Sequence, residues 1–360
     1  MIGTIITASA ATLVAVPAAG LFGYRGLKRA RLARRLRITT PNGINESGFV
    51  RIGGIDQWIS IRGDDRANPV LLEVHGGPGS SNLPFTHRTR AWERHFTIVR
   101  WDMRGAGKTF ANGGAAAQGA MSLDRVYDDA VEVTEHVRAR LGVDKVVLVA
   151  NSFGSVTGLR LARNRPDLYS AYVGTDQNII GGGRPHPAHA GTLERLRRKG
   201  KRKDLEFVEA MGPDATGWDA PQFAKFSQLT AVSDPLTYDT MKTVVIRSLW
   251  FSPLHRVLDI PGHIKAMGFS EQIGPSAMGI DEFAEGTEFQ VPLFIFQGDS
   301  DVITPVAPAR RFYEAVTAPH KDFALIEDAS HFASFRHPDR FLELLLTKVR
   351  PVLGAAATGR

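Results

Sequence analysis

Apolar residues along the chain gather in short unbroken runs separated by amphipathic stretches. Val70-Leu-Leu-Glu-Val74, Phe96-Thr-Ile-Val-Arg-Trp101, Lys145-Val-Val-Leu-Val-Ala150, Ser170-Ala-Tyr-Val-Gly174, Val291-Pro-Leu-Phe-Ile-Phe296 and Asp322 to Ile326 read as buried strands. Ahead of them, Phe49 to Ile52 and Ile55 to Ile61 alternate about Gly53-Gly54, the pattern of a hairpin. Ser122 is a natural N-cap for a helix from Leu123 to Leu141, whose Val126, Ala130, Val133 and Val137 form one apolar stripe. Another helical pattern follows Ser152, and Phe341 to Val352 predicts a closing amphipathic helix. Strands alternating with helices predict an α/β fold with a mostly parallel sheet covered by helices on both faces.

Between Ile179 and Glu288 the rhythm changes. Helical patterns occur there without strong strand runs, broken by Gly181-Gly-Gly183, Gly212-Pro213 and Pro261-Gly262. The expected organisation is a catalytic domain made of residues 46–178 and 290–354, with a helical cap over 179–289 inserted into it. No internal repeat is visible.

The N-terminus and the charge modify this picture. Ile2 to Gly23 carries no charge and is about long enough to span a bilayer, and a basic cluster from Arg25 to Arg37 follows it. A secretory signal would carry its positive charge ahead of the apolar run. The order found here predicts a membrane anchor over residues 1–24, a basic juxtamembrane linker over 25–45 and a catalytic domain facing the cytoplasm. The alternative is a loose N-terminal helix on a cytoplasmic protein. The net charge of +7 rests largely on that cluster and on Arg195-Leu-Arg-Arg-Lys-Gly-Lys-Arg-Lys203, which reads as a solvated helix end. No nucleic-acid-binding module accompanies either cluster, so no nucleic-acid partner is expected. The chain has no cysteine, which excludes disulfides, thiolate catalysis and Cys-ligated metals.

The chemistry concentrates where strand runs end. In Ala150-Asn-Ser152-Phe-Gly154, a strand stops abruptly and a helix begins just past the serine, the context of a nucleophile elbow. Glycine is usual where Ala150 stands, because strand and helix backbones crowd there. A serine hydroxyl needs a base held by a carboxylate. His331 follows the strand pattern Asp322–Ile326, and Asp301 and Asp299 follow the run that ends at Phe296. Asp301 is favoured, because the third residue beyond the turn at Gly298 can fold back towards the histidine, and Asp299 is the alternative. His337 is expected on a helix. In His75-Gly-Gly-Pro-Gly79, glycines leave backbone N–H groups free, and those of Gly77 and Phe153 are the expected oxyanion hole. One such donor stabilises a transition state by about 2.7–4 kcal/mol. His75 itself is expected to support the loop. Asp102-Met-Arg-Gly-Ala-Gly-Lys108 lacks Walker spacing and reads as a structural loop beside the site.

Taken together, His75-Gly-Gly-Pro-Gly79, Asp102-Met-Arg-Gly-Ala-Gly107, Ser152 in its elbow, Gly298-Asp-Ser-Asp301 and Ser330-His331 resemble the proline iminopeptidase branch of the α/β-hydrolases. The resemblance spans roughly Phe49 to Gly174 and Val291 to Leu346. It implies Ser152, Asp301 and His331 as a catalytic triad, with no metal or organic cofactor. The cap departs from that branch, whose members bind the substrate's free amine through cap glutamates, one in a Trp-Glu-Gly-type segment. Here Trp218-Asp219 and Trp250-Phe251 have the aromatic without the glutamate, and Glu206, Glu209, Glu282, Glu285 and Glu288 are the substitutes on offer. The expected activity is acyl-enzyme hydrolysis of a small-molecule or short-peptide substrate, first as an aminopeptidase releasing N-terminal proline or a similar residue. The alternatives are an esterase or amidase, acyl transfer to an acceptor other than water, and a non-catalytic receptor on the same fold. Dehalogenase chemistry is disfavoured, because the elbow carries a serine where that reaction needs an aspartate. Oligomeric state is not legible from the sequence.

Overall fold

Eight strands make one sheet: β1 (Ile44–Ile52), β2 (Ile55–Gly63), β3 (Val70–Val74), β4 (Thr97–Asp102), β5 (Val146–Asn151), β6 (Tyr169–Thr175), β7 (Leu293–Gly298) and β8 (Lys321–Ile326). The computed structural model describes residues 20–181 and 185–355. Strand order is β1-β2-β4-β3-β5-β6-β7-β8. The β1–β2 and β2–β4 pairs are antiparallel and every later pair is parallel. Order reverses between β3 and β5, the kind of switch point where ligands enter open α/β sheets.

The helices are α1 (residues 20–35), α2 (Gly107–Ala111), α3 (Leu123–Leu141), α4 (Phe153–Asn164), α5 (His189–Arg198), α6 (Arg202–Met211), α7 (Ala220–Ser233), α8 (Pro235–Thr240), α9 (Arg247–Phe251), α10 (Ile260–Ser270), α11 (Gly274–Met278), α12 (Val306–Ala315), α13 (Ala333–Arg336), α14 (Pro338–Leu344) and α15 (Arg350–Ala355). A single π-helical turn, Met241–Ile246, joins α8 to α9. Helices α5 to α11 all lie between β6 and β7, where the strand rhythm of the sequence lapses.

Core packing follows the pleat. Val146, Leu148 and Ala150 of β5 join one apolar cluster, with Val126, Ala130, Val133 and Val137 of α3. Val147 and Val149 face the other way, into a second cluster with Trp92, Phe341 and Leu345. A strand buried on both faces reads as a continuous apolar run, which is why these strands stand out in the sequence. Strand β1 does not. It begins at Ile44, five residues before the predicted start, and its Asn45-Glu-Ser-Gly48 stretch is polar because this edge strand is largely exposed. The short helix α2 is also unanticipated. It opens at Gly107, and the Lys108 N–H donates to Asp102 Oδ2 at 2.7 Å, so a protein carboxylate occupies the place a phosphate would need. The Gly/Ala-rich stretch after it is fastened by buried Gln118, which accepts from the Gly105 N–H and donates to the carbonyls of Thr109 and Gly114.

The anchor expected over residues 2–23 lies almost wholly outside the described residues. Among those described, no helix is long and apolar enough to cross a membrane. The segment read as a basic linker is helical from residue 20 and docks on the helices between β6 and β7. Arg25 Nε donates to the Trp250 carbonyl at 2.8 Å, and Arg29 donates to the carbonyls of Ser252, Pro253 and His255. These bases therefore satisfy carbonyls in the last turn of α9 and just past it, a favourable place for cations. The second basic cluster forms the end of α5 and the start of α6, with the ion pairs Arg197–Glu209 and Arg202–Glu206 in solvent.

Ala150, the residue that departs from the usual elbow, fits because of Gly158 on α4. A Cβ added at Gly158 would lie 2.5 Å from the Ala150 Cβ and 2.9 Å from Tyr172 Cε2. The strand has gained a methyl where the helix has none, so their close approach survives. Gly158→Ala is therefore expected to lower stability by about 1–3 kcal/mol. Adding Ala150→Gly is expected to recover part of that loss, the remainder coming from Tyr172. Thermal or denaturant unfolding of the single and double variants measures both.

Candidate active site

Ser152 stands between β5 and α4 with φ 54° and ψ −126°, a conformation that costs a non-glycine residue energy. All the non-glycine residues with positive φ among those described, Ser152, Asp176, Asp328 and Phe332, lie at or just beyond the C-terminal ends of β5, β6 and β8. The elbow is held by the Ser152 N–H, which donates to the carbonyls of Thr175 and Asp176. Gly154 is required by contact. A Cβ there would lie 2.3 Å from the Val74 carbonyl oxygen and 2.4 Å from that of His75.

That same contact presses the His75 loop against the serine, since a Cβ on Gly76 would sit 2.7 Å from Ser152 Cβ. The Gly76 carbonyl bonds to Ser80 Oγ at 2.7 Å and to His75 Nδ1 at 2.8 Å. In a trans peptide the N–H points opposite to the C=O, so these bonds turn the Gly77 N–H away from Ser80 and the His75 ring. His75 is a structural residue. Its Nε2 accepts from the Met103 N–H at 3.1 Å, which assigns the Nδ1–H tautomer, and burial pushes its pKa down to about 4. The Gly77 and Phe153 N–H groups have no hydrogen-bond partner among the described residues. Two donors left open beside a half-buried serine can receive an oxyanion.

The histidine and the acid arrive from β8 and β7. Gly298 lets the two loops meet, since a Cβ on it would lie 2.5 Å from the Ser330 carbonyl oxygen. His331 Nε2 is 2.9 Å from Ser152 Oγ, and His331 Nδ1 is 2.9 Å from Asp301 Oδ2. Asp301 is pinned in turn. Its Oδ1 accepts from the Ile303 and Thr304 N–H groups, and its Oδ2 accepts from Thr304 Oγ1 at 2.8 Å. The structure thus brings Ser152, Asp301 and His331 together. Asp299 is exposed, and its Oδ1 accepts from the Ala329 N–H at 3.4 Å. His337 caps α14, with its Nε2 3.1 Å from the Asp328 carbonyl. Burial alone pushes the His331 imidazole down. The charges of Asp301 and Asp176 and the Asp301 hydrogen bond outweigh that and raise it to about 9.

Several residues here are not apparent from sequence. Thr304 sits three residues past the acid and steadies it. Asn82 donates to both Asn151 Oδ1 and Glu73 Oε2, tying the residue before the serine to a buried carboxylate of β3. Asp176 follows β6 as Asp301 follows β7 and is fully buried. Its position just after a strand run was the available signal.

The helical insertion packs beside the histidine. Thr237 of α8 hydrogen-bonds Ser330 Oγ at 2.6 Å, next to the histidine. Phe85 stacks on Phe335 at 4.5 Å and packs with Val244 and Val245 of the insertion and with Phe332, which lies edge-on to the His331 ring at 5.0 Å. Of the five glutamates singled out in the sequence of the insertion, Glu206, Glu209, Glu285 and Glu288 are exposed. Glu282 is buried, but it pairs with Arg163 of α4 at 3.2 Å. A cavity of about 690 Å³ opens between Trp58, Lys108 and residues 253–263, and Ser152 is not among the residues lining it.

The fold agrees with comparisons to known proteins. A protein of Bacillus subtilis described as a probable aminopeptidase is 23% identical over 306 residues, covering 83% of this chain and 94% of its own. The proline iminopeptidase-related protein of Thermus thermophilus superposes with a TM-score of 0.57 at 17% identity, covering 87% of this chain and 98% of its own. A thermophilic esterase of Thermogutta terrifontis gives 0.56 at 16%, covering 85% of this chain and 99% of its own. At these identities the structural likeness shows the fold. The family described as having the alpha/beta hydrolase fold matches residues 69–338, from the start of β3 to the start of α14, and the chain belongs to it.

Proposed function

We propose that the protein is a serine hydrolase working through an acyl-enzyme, with carboxylic esters as its substrates. The observation that carries the reaction type is the continuous pair of 2.9 Å contacts from Ser152 through His331 to Asp301. In this reading Ser152 Oγ attacks the substrate carbonyl carbon while its proton passes to His331 Nε2. The imidazolium is held at Nδ1 by Asp301, and the tetrahedral oxyanion accepts from the Gly77 and Phe153 N–H groups. Collapse expels the leaving-group oxygen, which takes the proton from Nε2. Water activated by the same nitrogen then releases the acid and restores the serine.

The surroundings support esters ahead of aminopeptides. Binding a free amine calls for an unpaired carboxylate that a substrate can reach from the serine, and Asp176, the nearest, is fully buried. Of the seven glutamates in the insertion, Glu194, Glu206, Glu209, Glu285 and Glu288 are exposed, Glu282 is paired with Arg163, and half-buried Glu271, the one that remains, has no ion pair among the described residues. The side chains packed beside His331 are aromatic and aliphatic, surroundings that favour an apolar acyl or alcohol group over a charged amine. The aminopeptidase reading stays as the second. Its support is the branch to which the sequence motifs belong and the Bacillus relative, which aligns along nearly its whole length.

A short-chain aryl ester and a prolyl arylamide, tested side by side, separate these readings. Ester turnover is expected, with kcat falling on the order of 10⁶-fold in Ser152→Ala. Amide cleavage that is faster than ester cleavage and is abolished by blocking the proline nitrogen would establish the aminopeptidase instead. A general base must be neutral, and His331 lies above its ordinary value. The acidic limb of the kcat/KM profile is therefore expected above pH 6.5, with activity rising towards pH 9. A limb at or below pH 6.5 would show that the carboxylates do not hold the ring protonated.

A further inference from the structure

A second carboxylate faces the histidine. Asp176 directly follows β6 and is fully buried at φ 49°. One of its oxygens, one of Asp301 and a ring nitrogen of His331 all lie within 4.8 Å of one another. Asp176 Oδ1 accepts from the Ala333 N–H at 3.2 Å, which fastens the segment after His331. Asp176 Oδ2 has no partner in hydrogen-bond geometry among the described residues, and the Phe332 backbone joins that of Ala333 in favouring the charged carboxylate. A buried carboxylate oxygen without a partner is costly, and it persists where something compensates it. The charged groups acting on Asp176 are His331 and Asp301, and those acting on His331 are the two aspartates.

We propose that Asp176 is a positioning residue of this site, its carboxylate sharing the His331 imidazolium with Asp301. The inference rests on the serine-hydrolase reading and adds to it a second electrostatic partner for the base. While His331 is neutral, the two carboxylates repel one another across it. When the Ser152 proton reaches Nε2, both face a cation. The interaction thus strengthens as the tetrahedral stage forms, which is the condition for it to accelerate the reaction. The proton stays on the imidazole, and neither carboxylate takes it. Burial pushes Asp176 up to about 6 against the opposing pull of His331, so it is ionised across the alkaline working range. The same three side chains have the spacing of a cation site. However, both ring nitrogens of His331 are already engaged, with Asp301 and Ser152, and a metal would have to displace one of them.

Asp176→Asn separates charge from fastening, because the amide oxygen still accepts the Ala333 N–H. The test is the kcat/KM pH profile on an aryl ester for the full chain and for Asp176→Asn, Asp176→Glu, Asp301→Asn and the Asp176→Asn/Asp301→Asn pair. Melting curves and a Ser152→Ala control accompany every profile. Removing the charge is expected to move the acidic limb down by about one unit and to lower plateau kcat about tenfold with KM unchanged. Asp176→Glu, which keeps the charge, is expected to restore the limb even if it melts earlier. In the Asp301→Asn background, loss of Asp176 is expected to cost more than in the wild type, because it is then the only carboxylate left at the ring. An unmoved limb in a folded Asp176→Asn protein, with or without a lower melting temperature, would reduce Asp176 to loop fastening and overturn the inference. Ester activity surviving in Ser152→Ala would instead overturn the serine-hydrolase reading beneath it.

Discussion

Gly154 passes the carbonyls of Val74 and His75 at a distance that no side chain could tolerate, and the site depends on that contact. It brings the start of α4 against the end of β3, which sets the serine beside the His75 loop and leaves the Phe153 and Gly77 N–H groups open next to it. Equivalent close approaches recur around the site. Gly76 lies against Ser152 itself, Gly298 against the Ser330 carbonyl, and Gly158 against Ala150. The C-terminal edge of the sheet is thus a place where backbones from five strands meet with very little between them. Its strain, visible in the positive φ of Ser152, Asp176, Asp328 and Phe332, is sustained by the two-sided core beneath.

Electrostatics complete what the packing begins. Around the proposed nucleophile, buried polar groups are arranged in linked sets. Glu73 receives Asn82 and Arg100, Asn82 also reaches Asn151, and Asp102 receives Ser81 and the Lys108 N–H. Arg104 is paired with Asp129 under the loop that follows β4. These sets hold the loops and leave the imidazole of His331 buried with carboxylates on hand. An imidazole desolvated in this way would be a weak base if it stood alone. Asp301 reverses that tendency.

Much of this was legible in the sequence because of where chemistry sits relative to strand runs. Ser152, Asp301 and His331 each follow an apolar run, and strands buried on both faces announce themselves without ambiguity. The same logic reached Asp102 and the His75 loop. It did not reach Asp176, because a single aspartate after a strand looks like any turn residue until the neighbouring loops are in place. The polar first half of β1 was invisible for the opposite reason: an exposed edge strand has no apolar run to show. Arg25 and Arg29 illustrate a different limit. As charges after an apolar stretch they suggest membrane topology, whereas in the fold they satisfy carbonyls at the end of α9 and beyond it. Similarly, whether Ala150 is tolerated depends on Gly158, inside the following helix and past the elbow motif, and no local motif carries that information.

The account stands on one activated hydroxyl at Ser152, and covalent labelling tests it most directly. The intact protein would be treated with an alkyl fluorophosphonate and the modified peptide identified by mass spectrometry. The account predicts a single adduct, on Ser152, that is absent in Ser152→Ala and strongly slowed in His331→Ala. A folded protein that resists the reagent, or one labelled on another residue while Ser152 stays free, would contradict it.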